Sequence, residues 1–233
     1  MVRLYLFAEG QTEQTFADIV IKPHLAHQYG VFMQNSVLIA HGKKKGKTHR
    51  GGGRNYEPMK NDILRLLKQE KGRDVFFTTM IDLYAIHSEF PGLEAAKQFR
   101  HVPRERVKLL EKSFAEDIGD ARFIPHLQLH EYEAYLFCDP TCFASRYDNC
   151  SAQIAALQAL ANQYETPELI NDGATTAPSK RIIAQFPNYK KAKATDGPLL
   201  AKSIGLQVIR DRCPHFNEWL CQLEALSTQN TRQ

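Results

Sequence analysis

Glu9, Asp82, Glu131 and Glu133 stand where apolar runs end and turns begin, so the carboxylates come from three separate strand ends of the chain. Carboxylates gathered at one place repel one another and cost stability unless a cation neutralises them. Hard divalent cations take oxygen ligands, and magnesium typically combines one or two carboxylates with waters and phosphate oxygens. Such a set of acids reads as a site for Mg2+ or Mn2+ that meets an anionic, phosphate-bearing substrate. The plain alternative is that each acid favours the N-terminus of its own helix, and it weakens when three strand ends deliver acids to one edge. His130 either orients Glu131 and approaches the metal or the phosphate, or is an ordinary hydrogen-bonded histidine. The pair His130-Glu131 does not extend to H-E-x-x-H, because position 134 is Ala. Neither a Ser-His-Asp order nor G-x-S-x-G is present, so serine-nucleophile hydrolysis finds no support.

The basic residues are unevenly placed. From His41 to Arg54 the chain reads HGKKKGKTHRGGGR, with Lys43, Lys44, Lys45, Lys47, Arg50 and Arg54 and no acid. A glycine-rich loop of this kind can follow a phosphate backbone without reading base sequence, and Tyr56 could add a stacking surface. A solvated charge run with no partner is the competing reading. The spacing Gly42-x-x-x-Gly46-Lys47-Thr48 is one residue short of a Walker A loop, which argues against ATP binding here. Further on, Pro178-Ser179-Lys180-Arg181 places cations at an expected helix start, followed by Tyr189, Lys190 and Lys191. Lys180 or Arg181 could hold a phosphate or offset transition-state charge, against the alternative of ordinary surface helix charge.

The elements that must position these groups are legible in outline. Val2 to Ala8 (VRLYLFA) is apolar on both faces, as for a central strand covered on each side, and Glu9-Gly10 ends it. Thr12 can cap a helix whose stripe includes Phe16, Ile19 and Val20. Val31 to Ala40 reads as a second strand. A helix carrying Met59, Ile63, Leu66 and Leu67 follows the basic loop. Asp74 to Ile81 (DVFFTTMI) reads as a third strand ending at Asp82, and Val107, Leu110 and Phe114 mark another helix. Arg122 to Leu129 is expected as a further strand delivering His130-Glu131-Tyr132-Glu133 into a short helix. This alternation predicts an α/β fold with a mainly parallel sheet flanked by helices. In such sheets ligands bind beyond the carboxyl ends of the strands, which is where the acids fall. From Ser151 the pattern becomes helical, so residues 1–150 are expected as an α/β domain and 151–233 as a helical extension packed on it.

The 233 residues, 43% hydrophobic and 24% charged with a net charge of +4, describe a soluble globular chain with a local basic feature. No run reaches the roughly 18 apolar residues of a membrane span, and the apolar N-terminus is too short for a signal peptide, so a cytoplasmic protein is expected. Five cysteines fit a reducing compartment. Cys138 and Cys142 with Cys213 and His215 lack the second close pair of a structural zinc site, and buried free thiols are expected.

Three segments also carry a resemblance: E-G-x-T-E at Glu9 to Glu13, M-I-D-L-Y…F-P-G at Met80 to Gly92, and H-E-Y-E-A-Y-L-F-C-D-P at His130 to Pro140. Together with P-S-K-R-I at Pro178, I-G-L at Ile204 and C-P-H-F…W-L at Cys213, they resemble the bacterial domain-of-unknown-function family 4276. That family is in turn similar to Toprim-type domains, including those of overcoming-lysogenization-defect nucleases. The resemblance implies a Toprim-like fold, magnesium-dependent phosphodiester chemistry on DNA or RNA, an anti-phage defence role and an ATPase partner. Glu9 corresponds to the first glutamate of such sites, Asp82 to the first aspartate, and Glu133 to the glutamate of an E-N-Y-L segment. One departure stands out: Asp82 is followed by Leu83-Tyr84, not by the second aspartate of Asp-x-Asp, so a further carboxylate is expected from Glu89, Glu131 or Glu133. The expected activity is a metal-dependent nuclease with Glu9, Asp82, Glu133, His130 and Lys180 in the chemistry. The alternative is a non-catalytic nucleic-acid-binding or adaptor subunit. The sequence leaves the oligomeric state open, a homodimer included.

Overall fold

The computed structural model describes residues 1–44, 47–50, 56–170, 173 and 175–229, with the backbone alone at 40–44, 47–50, 85 and 229. Strand β1 (Val2–Ala8) leads into α1 (Gln11–Phe16), a π-helical turn (Ala17–Ile21) and α2 (Lys22–Tyr29) as one continuous helical run. Pro23 explains the widened turn: it has no N–H to donate and its ring crowds the carbonyl one turn back, so the helix loosens before it. Gly30, with φ of 65°, closes the run in the left-handed region.

The expected strand from Val31 to Ala40 is divided. β2 (Val31–Met33) and β3 (Val37–Leu38) both pair in parallel with β1, and the break at 34–36 is held by the helix above it. Gln14 Nε2 donates to the Ser36 carbonyl at 2.8 Å, and Ser36 Oγ donates to Asp18 Oδ1 at 2.9 Å. The basic segment also departs from the expected loop. Ala40–Lys44 (β4) and Lys47–Arg50 (β5) form an antiparallel hairpin with a bulge between Ala40 and Gly42. Lys43, Lys44, Lys47 and Arg50 therefore lie on strands, while Lys45 and Arg54 fall outside the described residues.

Next come α3 (Tyr56–Gln69), β6 (Val75–Asp82), α4 (Leu93–Ala96) and α5 (Pro103–Ile118). The last expected strand is again two short pieces, β7 (Phe123–Ile124) and β8 (Leu127–Gln128), both parallel to β6. Pro125 lies between them, and a residue that cannot donate to the ladder breaks it. Tyr132–Phe137 and Pro140–Ser145 are 3-10 turns in place of the expected short helix. The remainder is helical: α6 (Ser151–Ala161), α7 (Pro178–Gln185), α8 (Tyr189–Ile204), α9 (Leu206–Arg212), α10 (Pro214–Glu224) and α11 (Leu226–Gln229).

The main sheet runs β2-β1-β6-β7, with β3 beside β1 and β8 beside β6, and every pairing is parallel. Alternation along β1 sends Val2, Leu4, Leu6 and Ala8 to one face and Phe7 to the other. The first face is covered by α1, α2 and the helices after residue 150; the second by α3 and α5. Trp219 on α10 ties the C-terminal helices to the sheet, stacking on His126 at 4.3 Å and donating from Nε1 to Thr78 Oγ1 of β6 at 2.8 Å.

The chain leaves β1 toward the first face through α1 and leaves β6 toward the second through α4 and α5. These strands are neighbours, so their carboxyl ends frame a topological switch point, the crevice where open parallel sheets bind ligands. Among the described residues, no helix is long and apolar enough to cross a membrane.

Candidate active site

Glu9 follows β1 and Asp82 ends β6, so the sheet itself brings them together. The Asp82 amide donates to Glu9 Oε2 at 2.9 Å. Asp82 Oδ1 in turn accepts from Gln128 Nε2 of β8 at 2.6 Å and from the Tyr132 amide at 2.9 Å. Each carboxylate is thus oriented by a group on the neighbouring strand end.

Glu131 and Glu133 arrive through an unusual turn. His130 is a buried non-glycine residue at φ 64°, and its carbonyl accepts from the Tyr84 amide at 3.0 Å. A side chain in that region costs on the order of 1 kcal/mol or more, which the surrounding bonds must offset. The reversal turns Glu131 and Tyr132 back toward Asp82. The Ser179 amide, at the start of α7, donates to Glu131 Oε1 at 2.6 Å. Lys193 Nζ lies 2.8 Å from Glu133 Oε1, and the Tyr189 hydroxyl donates to the same oxygen at 3.5 Å. Tyr189 and Lys193 are one turn apart on α8, so one stripe of that helix faces Glu133.

A fifth acid joins these four. Glu13, on α1, is buried, and burial with the charges of Glu9 and Glu133 pushes its carboxyl up to about 8. Burial likewise raises Asp82, which feels Glu9, Glu13, Glu133 and Glu131 in that order. Glu131 is raised by burial and by Glu133, partly offset by Ser179 and Lys193. Burial opposes the charge of Lys193, but Glu133, Glu131 and Asp82 outweigh it and raise the ammonium. Among the described residues one lysine faces these five carboxylates, and burial with mutual repulsion favours protons on Glu13, Asp82 and Glu131. A hard divalent cation fits the chemistry of this donor set, which is all oxygen, with one oxygen each of Glu9, Asp82, Glu131 and Glu133 held in place.

Close packing forces small residues here. A Cβ on Gly10 would lie 3.0 Å from Glu13 Oε2, and one on Gly197 of α8 would lie 3.0 Å from the Tyr189 hydroxyl and 3.3 Å from Thr12 Cγ2. Glycine therefore lets α8 approach α1 and lets the Glu13 carboxylate sit against the first turn.

Of the residues expected from sequence, the fold gathers Glu9, Asp82, Glu131 and Glu133, with His130 at the turn. Lys180 does not join them: it is exposed on α7 and, with Arg181, lines a groove between α6 and α7. Arg181 Nε donates to the Thr176 carbonyl at 2.7 Å. Glu89 is exposed beside His87. The lysine that reaches the acids is Lys193, while Lys190 and Lys191 are exposed. Sequence reading missed Glu13 and Lys193 as site residues. The signal for Glu13 was its spacing one helical turn after Glu9; for Lys193 it was the four-residue step from Tyr189. Four cysteines are buried and Cys221 is exposed, with Cys138 and Cys213 Sγ atoms 3.4 Å apart.

The arrangement defines a class: an α/β protein with an acidic centre at the switch point of a parallel sheet. The chain belongs to the family described as Domain of unknown function (DUF4276), whose profile matches residues 8–224. No curated protein matches it. Among solved structures, it is similar to the C-terminal region of the Burkholderia pseudomallei OLD protein at 14% identity. That match covers 97% of this chain and 99% of the other, with a TM-score of 0.43.

Proposed function

We propose that the chain is a Toprim-like nuclease that cleaves phosphodiester bonds of DNA or RNA with Mg2+ or Mn2+. The observation that carries this reading is the junction of Glu9 and Asp82 across the β1–β6 switch point, bonded at 2.9 Å, with Glu13, Glu131 and Glu133 around it. Glu9, Asp82, Glu131 and Glu133, with Glu13 beside them, are the residues that would hold the cation. When bound, the metal polarises the phosphodiester and lowers the pKa of a water. The protein's own groups supply orientation: Gln128 and the Tyr132 amide fix Asp82, and the Ser179 amide fixes Glu131. Among the described residues, Lys193 is the cation held against these acids, and it would stabilise charge on the phosphate. The hairpin bearing Lys43, Lys44, Lys47 and Arg50 would track the nucleic-acid backbone. By the sequence resemblance described above, the protein serves in anti-phage defence beside an ATPase.

The test is cleavage of DNA and RNA by the purified protein in Mg2+ or Mn2+, against the Glu9→Gln and Asp82→Asn variants. Metal-dependent cleavage lost in both variants supports the proposal; cleavage unchanged in either sinks it. A second reading, a non-catalytic binding or adaptor subunit, is favoured by Tyr84, which is half exposed at the position where a second aspartate is expected. That reading requires nucleic-acid binding that is salt-sensitive and indifferent to divalent metal.

A further inference from the structure

Next to β8, a second group of potential ligands comes together from three elements. Glu111 comes from α5, His126 precedes β8, and His215 opens α10. Among the described residues, these are the ones whose ligand atoms all lie within 4.8 Å of one another. His215 Nε2 is 3.0 Å and His126 Nδ1 is 3.6 Å from Glu111 Oε1. Ligands at zinc distances of about 2.0–2.2 Å in tetrahedral array stand roughly 3.3–3.5 Å apart, so the observed spacings bracket that value. The donor set, two imidazoles and one carboxylate, suits a borderline transition metal and not magnesium.

Two further observations point to a ligand. His126 is completely buried, yet its Nδ1, turned toward Glu111, has no hydrogen-bond partner. A buried polar atom left without one is costly, and a cation would complete it. The outer contacts also fit: His126 Nε2 lies 3.5 Å from the Tyr135 hydroxyl, the Leu127 amide donates to Glu111 Oε1 at 2.9 Å, and Trp219 stacks on the His126 ring. Outer partners of this kind fix ring orientation around a metal. Glu168, buried and accepting from the His215 and Phe216 amides, adds a second negative charge beside the group. A dication would balance Glu111 and Glu168 with both histidines neutral.

We propose that Glu111, His126 and His215 form a structural site for a transition-metal dication, Zn2+ being the best fit, with the fourth position filled by water or by the Leu127 carbonyl. That carbonyl is 3.1 Å from His215 Nε2. Both backbone groups of Leu127 then belong to the site, and Leu127 precedes Gln128, which holds Asp82. A bound ion pins β8 between α5 and α10 and so fixes the support of the acidic centre. The competing arrangement is metal-free, with a doubly protonated His215 donating to Glu111 and to Leu127.

The proposal is tested with Zn2+ and Co2+ on the intact chain, after EDTA treatment. One equivalent of Zn2+ should bind and raise Tm by about 5–10 °C at a hundredfold excess over Kd, and Co2+ should give the visible bands of a tetrahedral site. Glu111→Gln and His126→Asn should each abolish both signals, while Asp82→Asn should leave them intact. Should those two variants not fold, 15N NMR of the wild-type imidazoles still decides, since metal-bound His126 and His215 differ from a doubly protonated His215. Failure of the EDTA-treated wild type to bind Zn2+ overturns the proposal. So does binding that survives in folded Glu111→Gln or is lost in Asp82→Asn, which would place the ion elsewhere. None of these outcomes depends on cleavage activity.

Discussion

The acidic centre and the Glu111–His126–His215 group both adjoin β8, one through Gln128 and the other through Leu127, and each buries ionisable side chains, yet their charge states run in opposite directions. In the acidic centre burial and mutual repulsion push Glu13 up to about 8 and raise Asp82 and Glu131. At Glu111 burial also works to raise the carboxyl, but the two imidazoles beside it, His126 and His215, outweigh it and hold it down at about 2. Burial pushes His126 down to about 4, whereas Glu111 and Glu168 overcome the effect of burial and raise His215. One group sets each of its carboxylates against hydrogen-bond donors or imidazoles. The other has, among the described residues, five carboxylates beside one lysine, and its raised carboxyls would release protons on taking up a cation. Acids retained in a place that repels them point to chemistry; acids paired with bases point to architecture.

The sharpest way to break this contrast is to remove a member from each side. Glu111→Ala leaves two buried imidazoles without their carboxylate and should cost about 3–5 kcal/mol, as loss of one partner from a buried pair does; urea denaturation measures it. Asp82→Asn should cost little stability but lower metal-dependent cleavage by about 10²–10³-fold, comparable to loss of a group that stabilises the transition state; kcat/KM on a nucleic-acid substrate measures it. If Asp82→Asn were the strongly destabilising one, the assignment of chemistry and architecture would be reversed.

The pH dependence of stability without metal separates the two regions further. Glu13 has a folded pKa of about 8 against an ordinary value of 4.5, so the folded state holds an extra proton between those values. Stability from this group therefore falls as pH rises from 4.5 to about 8 and is level outside that window. Raised Asp82 and Glu131 act in the same direction. Saturating Mg2+ should flatten the slope, release protons on binding, and bind more tightly as pH approaches 8, which calorimetry in two buffers would show. The smallest expected effect is Glu13→Gln, which removes one repelling charge and should raise stability at pH 8 by about 1 kcal/mol while weakening Mg2+ binding. A loss of stability would mean that Glu13 serves packing alone.

Much of the fold could be read from local pattern. The two-sided apolar run at Val2 to Ala8 can be satisfied only in the middle of a covered sheet, and Glu9 and Asp82 stand at the ends of the runs that become β1 and β6. Local pattern could not reveal every strand break. At 34–36 the break is held by Asp18 and Gln14 from the helix above, which capture Ser36, whereas the break at Pro125 did carry a local signal, a residue without an N–H inside an apolar segment. Nor did it anticipate that the basic loop would hold a hairpin at Ala40–Lys44 and Lys47–Arg50.

The sequence by itself determined the kinds of group available and the order of strand ends that carry them, because alternation and apolar runs are properties of neighbouring residues. Only the tertiary structure decided which groups meet. The choice of Lys193 over Lys180 depends on how α8 crosses α1, an approach that Gly197 permits by offering no Cβ to Thr12 and Tyr189. The meeting of Glu111, His126 and His215 depends on three segments up to 104 residues apart packing at one point. Such contacts come from burying shared apolar surface, which no local spacing records.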